Sequence, residues 1–502
     1  MASTPSGWLS TPSPGRPIIV GLSAGGKLEY VEISYGFGQG RTLNIDGSPS
    51  FVLDLPFTVP DAGLAIPGGA VRKENRYYDL FPRIVRADRP TTIRIRPLYD
   101  HCRFVEGRAY RVSVCPIAGS SNLGTDGQGI YQLECLAVHG VLQVSHIFEG
   151  EQEHVVLIEA ADGGHTSPAE LRVYSLADDL YGRRPYKGDL HVHSYRSDGW
   201  ESPGYVAAAS RRVGLDFMAV TDHRQYAPSL EAIRAFEGVP VGLRIYPGEE
   251  VHPPDCRVHI VNFGGRFSVN ERFGNPQGYV GEVREIARSL PSLPPGVDRQ
   301  QYAACVWSFR TIREADGLGV FCHPYWISGP HYDVPELLSL HILQEQPFDA
   351  LELIGGYSLF EIESNALQVA RYQEERARGR SVPIVGASDA HGCERGDLFG
   401  WYFTIVFSPS PDLPDLVENI KRLYSVAVES LPGEMPRAYG PFRLVRYAHY
   451  LLREVFPLHD ELCAHEGRLM LAHVAGDSQA AGVLAASTGG SEALYDHLWA
   501  PG

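Results

Sequence analysis

No apolar run in the chain is long enough to span a bilayer, so no membrane segment is expected. The opening Met1-Ala2-Ser3-Thr4-Pro5 lacks the basic-then-apolar pattern of a secretory leader. Positive charge is scarce: 44 Lys and Arg stand against 60 Asp and Glu, a net charge of −16, and no basic run occurs. That balance opposes a polyanion such as duplex DNA as the main partner, and it weakens a nuclease role. No C-x-x-C pair occurs either. The eight cysteines, Cys102, Cys115, Cys135, Cys256, Cys305, Cys322, Cys393 and Cys463, are scattered. They read as reduced thiols of a cytoplasmic protein. Nothing in the sequence points to an oligomeric partner.

What is present is an ordinary globular composition, 44% apolar and 21% charged, over 502 residues. That length suits two or three domains. Residues 1–16 are rich in Ser, Pro and Gly and read as a flexible tail. Residues 17–180 show short β-type runs such as Thr91–Pro97, Tyr110–Val114 and His154–Glu159, separated by turn residues. They predict an all-β, sandwich-like domain. Asp178–Pro185 reads as a linker. Residues 186–430 change texture to apolar strands alternating with helices, the pattern of a parallel sheet closing into a barrel. Residues 431–502 read as a helical extension. There Phe442, Val445, Tyr447, Ala448, Leu451, Leu452 and Val455 recur at helical spacing and predict a buried stripe.

Polar residues gather where the predicted barrel strands stop. Lys187-Gly-Asp-Leu-His-Val-His-Ser places His191 and His193 on one face of a strand, with Asp198 in the following loop. Phe217–Val220 leads into Thr221-Asp222-His223. Tyr246 leads into Pro-Gly-Glu249-Glu250. His259 lies in the next strand. Val320-Phe321-Cys322 leads into His323-Pro324, and Val385-Gly-Ala-Ser388 into Asp389-Ala-His391. A parallel barrel delivers these ends to one rim. So many imidazoles and carboxylates would be costly there if unpaired, and divalent Zn, Mn or Fe suits such ligands. Metal ions held there would draw in an anionic small molecule despite the acidic whole, and would ionise bound water for attack at phosphorus or a carbonyl carbon.

The series His-x-His, Asp198, Thr-Asp-His, Glu-Val, His259, His-Pro and Ser-Asp-Ala-His resembles the PHP family, named for polymerase and histidinol phosphatase, over Tyr186 to Val428. The resemblance implies an α/β fold, a distorted seven-stranded (β/α)7 TIM-like barrel holding two or three metal ions. Carried over by position, it assigns His191, His193, Glu250 and Asp389 to one ion. Glu250, His259 and His323 go to a second, and Asp198, His223 and His391 to a third. Glu250 is preferred to Glu249 because Val251 follows it. Asp189 and Asp222 are expected to orient histidines. His323 and His391 are ligands or, if a metal is missing, proton donors to the leaving group, and Arg224 and Arg395 are candidate oxyanion clamps. Tyr325 and Trp326, which follow His323-Pro324, are candidates to line the pocket. The Lys-Gly-Asp-Leu-His-Val-His-Ser form behind a β domain is also similar to a branch that includes hydrolases of aryl carbamates. Phosphoester hydrolysis is therefore the first expectation and ester, amide or carbamate hydrolysis the second. A non-catalytic, metal-braced binding protein is the third.

Overall fold

The computed structural model describes residues 71–119, 130–161, 169–358, 361–396 and 398–499, together with the backbone of three strands nearer the N-terminus. Those three, Ile18–Leu22, Leu28–Ile33 and Arg41–Asn44, form an antiparallel sheet. They belong to a compact unit of their own, Met1–Ala62. The expected flexible tail, residues 1–16, lies outside the described residues.

The second unit, Gly63–Gly502, holds everything else. Its first part is two β layers. Tyr78–Phe81, Pro90–Pro97 and Leu142–Ile147 make one sheet. Ile84–Arg86, Ala109–Pro116, Tyr131–Leu136, Gln152–Ala160 and Ala169–Leu176 make the other. Alternation puts Ile93 and Ile95 of the first sheet into one core with Val112, Val114, Val156, Ile158, Leu171 and Val173 of the second.

The α/β part is built from two curled sheets. One runs, in spatial order, Arg244–Tyr246, Phe217–Ala219, Arg184–Asp189, Tyr402–Ser408, Ser425–Glu429 and Arg437–Tyr439. The other runs Gly248–Val251, Ile260–Phe263, Leu318–Phe321, Ala350–Ile354 and Ile384–Gly386. Two single parallel bridges join them, His223 to Glu250 and Val192 to Ala390. The pairing departs from a regular β/α repeat. Gly248–Val251, Ile260–Phe263 and Leu318–Phe321 pair antiparallel, as do Arg184–Asp189 and Tyr402–Ser408. A short hairpin, rather than a crossover helix, connects the first two of these strands. Phe217, Ala219, Val261, Phe263, Val320, Ala350 and Val385 fill the space between the sheets.

Helices cover the outside where their signals predict them. Pro203–Arg212 starts after Ser202, whose side chain accepts from the Tyr205 N–H, and Arg299–Glu314 starts after Asp298, which accepts from Gln300 and Gln301. Two expectations need correction. Asp178–Pro185 is not a loose linker: Asp178–Tyr181 is helical, and Arg184 and Pro185 already pair with Ser408 and Phe407. Phe442 leaves the buried stripe and is 76% exposed. It is the first residue of helix Phe442–Glu454, and the Arg446 guanidinium lies over its ring, 5.6 Å from the centroid. No helix among the described residues is long and apolar enough to cross a membrane.

The C-terminal helices tie the layers together. Glu454, almost fully buried, accepts from Arg72 at 2.6 Å and Asn75 at 3.0 Å, while Arg443 reaches Glu151 at 2.8 Å and Asp179 at 2.7 Å. Under the α/β sheet, Lys187 is wholly buried and its ammonium lies 2.8 Å from both Asp460 oxygens. His459 joins Asp460 at 2.9 Å and Asp216 at 2.8 Å, and Arg211 joins Asp216 at 3.0 Å and Glu466 at 2.8 Å. With His459 protonated, three cations meet three anions. Burial alone would lower the His459 pKa, but Asp216 and Asp460 hold it well above 6.5. Burial likewise works against the Asp216 carboxylate, yet His459 and Arg211 bring it down to about 2.

Removing one member of a buried pair strands the other. Asp460→Ala is expected to cost about 3–5 kcal/mol in denaturant unfolding, and Lys187→Met with Asp460→Leu distinctly less. A single variant within about 1 kcal/mol of wild type would contradict the pair's role. His459 also sets a pH dependence. Its contribution is complete below the unfolded value of about 6.5 and is lost as pH rises through the raised folded value. The alkaline fall in unfolding midpoint should therefore flatten in His459→Gln. Asp216 acts at the other end, losing its contribution as pH falls from about 3.9 through about 2.

Candidate metal centre

The strands end on backbone that is itself cross-bonded, which sets the site's spacing. The His193 N–H donates to Ala390 O, and the Asp389 N–H to His191 O; the Arg224 N–H donates to Glu250 O. Three residues here take left-handed backbone without being glycine: Arg224 at φ 59°, His323 at φ 24° and Asp389 at φ 50°. For His323 this conformation is doubly costly because Pro324 follows. Strained backbone of this kind persists where surrounding structure fixes it, and it clusters at functional sites.

At the centre stands Glu250, with no exposed surface. Six imidazoles face its carboxylate. His259 Nδ1 is 2.9 Å and His323 Nε2 3.5 Å from Oε1. His191 Nε2 and His193 Nε2 are each 3.6 Å from Oε2, His252 Nε2 is 3.4 Å from it, and His223 Nδ1 is in direct contact with it. Asp389 forms a second focus, 2.8 Å from His193 Nε2, 3.2 Å from His191 Nε2 and 3.9 Å from His323 Nε2. Asp198 forms a third, nearer solvent, 3.3 Å from His223 Nε2 and 3.4 Å from His391 Nε2. All nine residues expected as ligands from the sequence thus meet at one rim.

The chemistry of this donor set fits divalent cations. Both Glu250 oxygens, His191 Nε2, His193 Nδ1 and His259 Nδ1 are buried without a hydrogen-bond partner. Such orphaned atoms cost free energy unless something shared compensates them. His191, His193 and Glu250 offer ligand atoms close enough to hold one ion. So do His191, His323 and Asp389, and also His193, Asp198, His223 and His391. Protonation follows the same pull. Burial lowers the imidazole pKa values, but Glu250 and its neighbours raise His223 to about 9, and Asp389 lifts His191 well above 6.5. His252 runs the other way: burial outweighs Glu250 and brings it down to about 4.

The remaining expectations divide. Glu249 turns away from the cluster, accepting from Ser268 Oγ at 2.7 Å and Asn270 Nδ2 at 2.9 Å, so Glu250 alone of the two faces the imidazoles. Asp189 and Asp222 do not bond the histidine rings. Asp189 accepts from Ser388 Oγ at 2.5 Å and the His191 N–H at 3.2 Å, and Asp222 from Ser194 and Ser197. They brace the strand end and the loop leading to Asp198. Glu352 bonds an imidazole instead, 2.9 Å from His191 Nδ1. That contact fixes the ring and leaves Nε2 facing the cluster. Arg395 stacks on Trp200 and is not among the residues lining the cavity. Tyr325 is buried, its hydroxyl accepting from Arg371 Nε at 3.2 Å, and it is not among the residues lining the cavity, whereas Trp326 is. Cys322 and Cys393 are buried thiols, pushed up by desolvation.

Sequence reasoning missed Glu352 and His252. Glu352 had a signal, a lone carboxylate in the apolar strand Ala350-Leu-Glu-Leu-Ile354. His252 had one too, two residues after Glu250 and so on the same face of an extended chain. The cluster opens into a cavity of about 1090 Å³. Arg224, Arg257, Phe273, Trp326 and Leu398 line its outer part.

No family model matches the chain. Over 60 residues it is 43% identical to the DNA polymerase/3′-5′ exonuclease PolX of Bacillus subtilis (strain 168), a stretch that is 12% of this chain and 10% of that protein. A two-domain protein of Bacteroides vulgatus ATCC 8482, containing a predicted PHP-like metal-dependent phosphoesterase, overlaps 49% of this chain and 65% of its own. It does so at 17% identity and a TM-score of 0.34. An amidohydrolase of Chromobacterium violaceum, solved with sulfate and without metal, overlaps 41% of this chain and 87% of its own, at 21% identity and a TM-score of 0.25. The chain thus spans about a tenth of the curated relative and under two thirds of the first of these solved chains.

Proposed function

We propose that the protein is a metal-dependent hydrolase of the PHP type, with a distorted seven-stranded barrel, acting on a small organic phosphate ester. The observation that carries this reading is Glu250, a buried carboxylate ringed by six imidazoles with neither oxygen hydrogen-bonded. His191, His193, Glu250 and Asp389 would hold one ion, Glu250, His259 and His323 a second, and Asp198, His223 and His391 a third. Divalent ions supply Lewis acidity and lower the pKa of water at such a site.

The chain's own residues do the rest. Glu352 holds the His191 ring in one orientation. Arg224, exposed at the cavity mouth, presents a cation to the substrate's anionic oxygens. His323 and His391 line the cavity, and either one, if its ion is missing, would be a proton donor to the leaving group instead of a ligand. The net charge of −16 does not favour a nucleic acid as the bound phosphate ester.

Carbonyl hydrolysis is the second reading. Phe273, Trp326 and Leu398 give the cavity an apolar wall that suits an aryl group in an ester or carbamate as well as in a phosphate.

Purified protein is expected to release phosphate from an aryl phosphate monoester. Chelation should abolish this, and Mn or Zn should restore it. Faster turnover of naphthyl carbamate or nitrophenyl acetate would select the second reading, and no turnover of any of the three would count against a hydrolase. Glu250→Gln should lower bound metal at least tenfold in elemental analysis while circular dichroism stays unchanged. Arg224→Ala should leave metal content intact and raise KM for the monoester about tenfold, as expected for loss of one charge-assisted contact of roughly 1.5 kcal/mol.

A further inference from the structure

Cys256 and Cys305 were unremarkable in the sequence, 49 positions apart with no shared motif. The fold brings their sulfurs to 3.6 Å. Among the described residues no other two sulfurs are in hydrogen-bond contact. The pair is asymmetric in access. Cys256 is half-buried, lies in the turn between strands Gly248–Val251 and Ile260–Phe263, and lines the cavity. Cys305 is fully buried on helix Arg299–Glu314. It is also asymmetric in charge preference. The contact with Cys305 holds the Cys256 thiol below its ordinary value, whereas burial pushes Cys305 well above. A half-buried sulfur on a cavity wall, in contact with a fully buried partner, is the arrangement of a reacting and a resolving thiol.

We propose that Cys256 and Cys305 form a reversible disulfide modification site, with a small peroxide as co-reactant. Cys256 sulfur attacks one peroxide oxygen and the O–O bond breaks. Cys256 becomes a sulfenic acid and one water leaves. Cys305 sulfur then attacks the Cys256 sulfur, the S–O bond breaks, and the second water leaves with the Cys305 proton. Two thiols are oxidised by two electrons and one hydrogen peroxide is reduced to two waters. Closing to a bond of about 2.05 Å needs the sulfurs to approach by about 1.6 Å. The neighbouring Asp255, in left-handed backbone at φ 59°, places that adjustment in a turn rather than in a strand. The bond would pin the turn to helix Arg299–Glu314, and that turn lies between Glu250 and His259. The site does not depend on the hydrolase reading, since neither thiol is assigned to the metal ions.

The test is a hydrogen peroxide titration of the full-length protein, followed by blocking of free thiols, unfolding and peptide mapping without reductant. The expected first product is a single cross-link joining the Cys256 and Cys305 peptides. Free thiols should fall from eight to six, and dithiothreitol should restore all eight. In Cys305→Ser the cross-link should vanish and dimedone should label Cys256. The wild-type map decides even if that variant folds poorly. Oxidation of Cys102 or Cys115 first, or a map in which Cys256 and Cys305 both stay reduced, would overturn the proposal.

Discussion

The site depends on a single electrostatic problem, a Glu250 carboxylate with no exposed surface, pressed among six imidazoles and matched to none of them in hydrogen-bond geometry. In an apolar interior such a group is untenable unless positive charge is shared with it. Protons on the surrounding imidazoles supply some of that charge, and a cation would supply more. Either solution requires the imidazoles to arrive from separate strand ends at nearly equal range. The strained backbone at His323, Asp389 and Arg224, and the single bridges at His223 and Val192, are the local cost of that convergence.

The rest of the molecule keeps that arrangement rigid. Asp189 and Asp222 bond main chain and serines, so they fix the strand end and the loop from which His191, His193 and Asp198 project. Beneath the sheet, the Lys187–Asp460 pair and its neighbours lock the first strand to the C-terminal helices. Helix Phe442–Glu454 in turn bonds the β layers through Arg443, Tyr450 and Glu454. A long run of contacts therefore links the β layers to the strand that carries the His-x-His pair.

Much of this was legible in the sequence because strand ends announce themselves as an apolar run stopped by a polar residue. That rule points to His223, Glu250, His323, Asp389 and His391; the alternation of His191 and His193 on one strand face, Asp198 in the loop after it and His259 within a strand are separate signals. It failed where a residue acts from within a strand, as Glu352 does, since nothing in Ala-Leu-Glu-Leu-Ile says which imidazole the carboxylate will meet. It also could not choose Glu250 over Glu249 on physical grounds, because both are buried; only Ser268 and Asn270 reveal that Glu249 is already satisfied. Strand direction was the other gap. Nothing in Gly-Glu-Glu-Val or Ile-Val-Asn-Phe says that the two strands run antiparallel as a hairpin around Cys256, and nothing in Tyr402–Ser408 says that it pairs antiparallel with Arg184–Asp189. The approach of Cys256 to Cys305 follows from that hairpin and was invisible for the same reason.

Anomalous diffraction from crystals grown with Mn or Zn tests the central claim most directly. The account predicts peaks at coordination distance, about 2.0–2.2 Å, from the Glu250 oxygens, with nitrogen atoms of at least two of the surrounding imidazoles at similar range. A density map with Glu250 hydrogen-bonded to ordered water or to protonated imidazoles, and no anomalous peak beside it at saturating metal, would contradict it.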